Sequence, residues 1–125
     1  MDNGQLTMRK EENALKQKSY SFALDIVKVC MSLQEKREFV LSKQLLRSGT
    51  AIGALVEEAN QAESRADFIH KLSISNKEAN ETQYWIRLLV DSGVLDSEKG
   101  EQLFEHCTEL IKILTASIKT SKLKR

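Results

Sequence analysis

Two stretches of this chain repeat small and apolar residues at alternating intervals of four and three, and the two runs are mirror images. The first is Leu41, Leu45, Ser48, Ile52, Leu55, Ala59 and Ala62; the second is Phe68, Leu72, Ser75, Ala79, Thr82, Ile86 and Leu89. This spacing keeps one side of an α-helix in step with a neighbouring helix, so each run predicts a helix with a single packing seam. Between them, Ser64-Arg65-Ala66-Asp67 has the form of a helix start. The serine hydroxyl accepts a free amide there, and Asp67 suits the positive end of the helix. A hairpin closed about the 63/64 boundary sets residues whose numbers sum to 127 at equal height. Leu41 then faces Ile86, Leu45 faces Thr82, Ser48 faces Ala79, Ile52 faces Ser75, Leu55 faces Leu72 and Ala59 faces Phe68. Several rungs set a large side chain against a small one, which lets facing helices interdigitate without voids.

The flanking sequence supplies one helix on each side. Phe22, Ala23, Ile26, Val27, Cys30 and Leu33 predict a first helix, followed by a polar turn from Gln34 to Glu38. After a stop at Ser92-Gly93, a last helix begins around Asp96 or Ser97. It buries Leu103, Cys107, Leu110 and Leu114, with Phe104, Ile111 and Ile118 widening the stripe. The chain has no proline and only five glycines, which removes the punctuation an all-β fold needs. Its 125 residues suffice for one hydrophobic core and not for two. The expected fold is all-α, an antiparallel up-down four-helix bundle over residues 18–118. Residues 1–17 form a polar tail or loosely docked helical lead-in, and residues 119–125 a basic tail.

No apolar run approaches the ~20 residues of a membrane span, and Met1 to Gln17 is too polar for a secretory signal. A cytoplasmic protein without a membrane partner is expected. Cys30 and Cys107 sit among apolar residues with no zinc-like spacing, so they read as reduced core thiols. Net charge is +1, unevenly spread. Residues 16–47 carry seven basic and three acidic side chains, residues 57–109 carry five and twelve, and residues 112–125 carry five and none. Basic ends and an acidic middle favour contacts between unlike regions and leave basic surface for an anionic partner.

Catalytic constellations are missing from the pattern. A carboxylate-bridged metal site in a bundle needs Glu-x-x-His on two helices, and the nearest approach is Asp67-x-x-His70, with His106 far along the last helix. Gly49 and Gly53 lie inside the second helix, where they permit close helix approach and make no phosphate loop. No enzyme, metal or cofactor is expected. The hairpin register places Lys43 opposite Tyr84 and near Glu81, and Arg47 between Glu78 and Glu81. Lys43, Arg47, Glu78 and Glu81 therefore predict an ion-pair network that fixes register. Of the adjacent Tyr84 and Trp85, one belongs in the core and the other at its edge. Lys43, Arg47, Lys119, Lys122, Lys124 and Arg125 are the candidate phosphate contacts for a nucleic acid.

The runs LSKQLLRSGTAIGALVEEA (Leu41 to Ala59) and SRADFIHKLSISNKEANETQYWIRLLVDSG (Ser64 to Gly93) resemble the bacterial four-helix-bundle proteins encoded in intervening sequences of 23S ribosomal RNA genes. The resemblance covers about residues 18–118 and is most specific in KQLLRS, DFIHKL and KEANETQYW. It departs at Leu55, where many members have Asn, and at Asn76, where an apolar residue is usual. It implies a non-catalytic homopentamer. A related branch, the accessory variability proteins of diversity-generating retroelements, binds a reverse transcriptase and nucleic acid. The expected partners are therefore further copies of the chain and RNA or other nucleic acid. The alternative is an adaptor for a protein such as a reverse transcriptase.

Overall fold

The computed structural model describes residues 3–124, with side chains from Lys10 onward. Four α-helices follow in order: α1 (Asn3–Glu35), α2 (Val40–Asn60), α3 (Arg65–Asp91) and α4 (Ser97–Leu123). α1 packs on α2 and α4, and α3 packs on the same two, so α1 lies diagonally across from α3 and α2 across from α4. This is the up-down bundle expected from the seams.

Three helix starts and one stop have a visible local cause. The Ser64 hydroxyl accepts the Asp67 amide at 3.1 Å and caps α3. The Asp96 carboxylate accepts the Lys99 amide at 3.1 Å and caps α4. α2 is capped from outside itself, by Glu38, whose carboxylate accepts the Leu41 amide at 2.8 Å. α3 ends at Gly93, which takes a φ of +79° that glycine adopts without strain.

The hairpin has the expected register. The Ser75 hydroxyl donates to the Ile52 carbonyl at 2.9 Å, on a rung whose numbers sum to 127. Further along, the Thr82 and Ser48 hydroxyls hydrogen-bond to each other at 3.0 Å. Leu45, Ser48, Ile52, Ala59, Leu72, Ser75, Ala79, Thr82, Ile86 and Leu89 are all buried. α1 comes close to α2 because Gly49 has no side chain. A Cβ there would stand 2.9 Å from both branches of Ile26.

The structure differs from the sequence expectation at both ends. α1 runs unbroken across residues 17 and 18, and Leu15 is only 1% exposed, so the lead-in is helical and docked from Leu15 onward. α4 continues to Leu123 with Ser121 buried, so residues 119–123 extend the bundle and are not a separate tail. Within α1, Val29 takes the core position expected of Val27, which is exposed. Cys30 and Cys107 are free, buried thiols. Their sulfurs donate to the carbonyls of Ser42 and Ala79 at 3.3 and 3.2 Å, and burial pushes their pKa values up to about 11 and about 12.

Candidate nucleic-acid interface

Arg47 is engaged inside the hairpin. Its guanidinium donates to Glu78 at 3.2 Å and to Glu81, and its Nε donates to Gln44 at 3.3 Å. Glu81 also accepts the Trp85 indole N–H at 2.9 Å. Trp85 is half-buried against the core, while Tyr84 is exposed and meets it edge-on with ring centroids 5.1 Å apart. Three of the four residues expected in the register lock are therefore joined. Lys43 is not. It is exposed and joins no ion pair among the described residues. The hairpin gains a second tie from Lys71, which reaches Glu58 at 3.4 Å.

The C-terminal cations separate in the same way. Lys119 and Lys122 are exposed on the last turns of α4, Lys124 follows the helix end, and Arg125 lies outside the described residues. Glu101 and Glu105 on the exposed part of α4 give way to Lys112, Lys119 and Lys122 toward its C-terminus. Of these cations Lys122 lies in the last turn of α4, where a positive charge complements the helix dipole.

A different cluster emerges at the end of the bundle where α1 and α3 finish and α4 begins. Lys28, Lys36 and Lys99 border a cavity of about 310 Å³ with Ser32, Val94 and Leu95. Asp96 also lines it, and its carboxylate, which caps the Lys99 amide, keeps its negative charge there. None of the three ammonium groups joins an ion pair among the described residues. Three cations against one carboxylate leave the recess net positive, which favours a phosphate group. Lys28 and Lys36 are far from Lys99 in sequence, and only the up-down topology brings the end of α1 beside the start of α4. The basic excess of residues 16–47 is the one sequence signal that points there.

At the opposite end, a cavity of about 460 Å³ is bordered by Glu12, Lys16, Asn60, Arg65 and Ser121. Its charges are mixed. Among the described residues no group of three or more His, Cys, Asp or Glu is arranged to hold a metal ion. Asp67 and His70 sit on the first turns of α3 with His70 exposed, and His106 lies 3.9 Å from Asp25 on α1. No described helix is long and apolar enough to cross a membrane.

A family model described as 23S rRNA-intervening sequence protein matches residues 11–116. Among solved structures, the chain is similar to a protein of unknown function from the S23 ribosomal protein family of Bacteroides thetaiotaomicron VPI-5482, whose crystal structure was determined at 1.70 Å. The two are 50% identical with a TM-score of 0.85, covering 87% of this chain and 98% of that one. No curated protein matches this chain.

Proposed function

The chain belongs to the 23S rRNA-intervening sequence protein family, and from that premise we propose that it is a non-catalytic, cytoplasmic bundle that assembles as a homo-oligomer, a pentamer by resemblance, and binds RNA through basic surface. The observation that carries the RNA part is the recess bordered by Lys28, Lys36 and Lys99, whose cations have no acidic side chain paired with them among the described residues. Arg47, by contrast, is neutralised by Glu78 and Glu81 and has no charge to spare for a phosphate. Assembly multiplies one modest recess into several on a single particle, and linked weak sites bind far more tightly than one. A net charge of +1 per chain is therefore compatible with the reading.

Fluorescence anisotropy with a structured RNA hairpin at ~50 and ~200 mM salt tests it. Binding that weakens steeply with salt is expected. Replacing Lys28, Lys36 and Lys99 together by Gln should lower the slope of log affinity against log salt by about two to three, near one for each phosphate no longer neutralised. Absence of binding at low salt, or an affinity that salt leaves unchanged, overturns the RNA reading. Copurification of a protein partner without nucleic acid would move the assignment to an adaptor.

A further inference from the structure

α1 carries two seams of the same spacing. Phe22, Ile26, Val29 and Leu33 are buried, whereas Tyr20, Leu24, Val27 and Met31 repeat the intervals of four, three and four on the outside, between 38% and 64% exposed. A surface helix normally turns polar residues outward, and an exposed apolar seam of this spacing is what another helical surface packs into. Lys16, one turn before Tyr20, pairs with Glu57 of α2, while Lys18 and Asp25 reach Glu109 and His106 of α4. The outer seam therefore lies on the α2 side of α1.

A second apolar face stands elsewhere on the molecule. Phe39, Val40, Tyr84 and Leu88 are between 36% and 75% exposed. Val40 is one heptad before Arg47, which bridges to Glu78 and Glu81, so Val40 falls at the level of Trp85 and Leu88. This face sits where α2 begins and α3 ends.

We propose that the outer seam of α1 docks on the Phe39, Val40, Tyr84 and Leu88 face of a second copy of this chain, in one repeated head-to-tail contact; the proposal rests on the self-association reading above. Area favours this occupant. At about 200 Å² for a large side chain, each face exposes roughly 400 Å². A contact covering one of each removes roughly 800 Å² of apolar surface, and with the ~60% apolar share usual of interfaces it buries roughly 1,300 Å² in all, within the range of stable associations. Seam against seam would bury as much but leave the other face bare on every subunit. The head-to-tail contact covers both, and contacts of this kind close into rings when the rotation is suitable. One repeated contact turns every successive subunit in the same sense.

Light-scattering mass, with circular dichroism to follow helix content, tests the contact. The natural chain should run as a multiple of its 14.2 kDa. Leu24→Arg with Met31→Arg, and separately Val40→Arg with Leu88→Arg, should each give helical monomers. An equal mixture of the two variants should recover a species of twice the single-chain mass, because one intact seam and one intact face still meet. Alanine at the same four positions should weaken assembly in the same direction, so a fold lost to arginine does not decide the result. Either variant keeping the full mass overturns the contact and leaves self-association standing; so does a mixture that stays monomeric. A natural chain at 14.2 kDa overturns self-association and the contact together.

Discussion

Two seams of the bundle treat buried hydroxyls in opposite ways. Between α2 and α3, Ser75 donates to the Ile52 carbonyl, and Thr82 reaches Ser48 Oγ and the Glu78 carbonyl at 3.0 and 2.7 Å. Along the last turns of α4, Leu110, Leu114, Ser117 and Ser121 form a seam of the same spacing, yet both serine hydroxyls are buried without a partner. A buried polar group without a partner costs on the order of 1–3 kcal/mol, whereas one that is bonded contributes about 1 kcal/mol. Small polar residues thus fix the register of the hairpin. At the C-terminal end of α4 they make no hydrogen bond, and Ser121 borders a cavity.

The strongest test of that contrast is apolar. Ile52→Ala removes a fully buried side chain at the rung that Ser75 fixes, and it should lower stability by about 2–5 kcal/mol in urea unfolding. Leu123→Ala, at the exposed end of α4, should stay within about 0.5 kcal/mol. Similar losses at both sites would erase the distinction between the two regions.

Next in size is a pH effect that belongs to the seams on either side of the hairpin. Cys30 faces α2 and Cys107 faces α3, and both thiols have folded pKa values raised well above 9, the second further than the first. The unfolded chain therefore releases these protons first, and stability present below pH 9 declines as pH rises toward 11. The decline is about 1.4 kcal/mol per pH unit per thiol. Comparing urea midpoints at about pH 8, 9 and 10 with those of a Cys30→Ala, Cys107→Ala double variant isolates the contribution. An identical pH dependence in both proteins would assign the decline to other groups.

The serines give a smaller effect of opposite sign. Ser121→Ala deletes an unpartnered buried hydroxyl and should raise stability by about 1 kcal/mol, while Ser75→Ala should lower it by about the same amount. Thermal melting of the two variants distinguishes them directly. A loss at Ser121 would show that its hydroxyl is partnered in solution.

The legibility of the sequence follows the same division. In α2 and α3 the core side carries a nearly unbroken four-three repeat, and the rung from Ile52 to Ser75 follows from a numbering sum, although Val56 takes the core place expected of Leu55. α1 has apolar residues on opposite sides at identical spacing. Phe22, Ile26, Val29, Leu33 and Tyr20, Leu24, Val27, Met31 are equally good seams when read in isolation, which is why spacing alone turns Val27 inward. Only packing against Gly49 and the core decides between them. The Lys28, Lys36 and Lys99 recess is beyond reach of local pattern, since it depends on where a remote helix starts.

The smallest effect concerns the exposed edge of the hairpin. Arg47 is about half exposed, so its bonds to Glu78 and Glu81 are screened by water and salt. Arg47→Gln leaves two carboxylates, three residues apart on α3, facing no cation, and should lower stability by about 0.5–1 kcal/mol at low ionic strength and by less at ~1 M salt. Arg47→Lys restores the charge without the planar fork and should recover part of the loss. The same variant separates a structural cation from a ligand contact, because a side chain already held by two carboxylates adds little to phosphate binding. Arg47→Gln should leave the salt slope of RNA affinity unchanged. Lys43→Gln, with no carboxylate paired to it among the described residues, should reduce that slope and leave melting temperature alone. The reverse pattern would make Arg47 the phosphate contact and leave the register of the hairpin to its hydroxyl rungs alone.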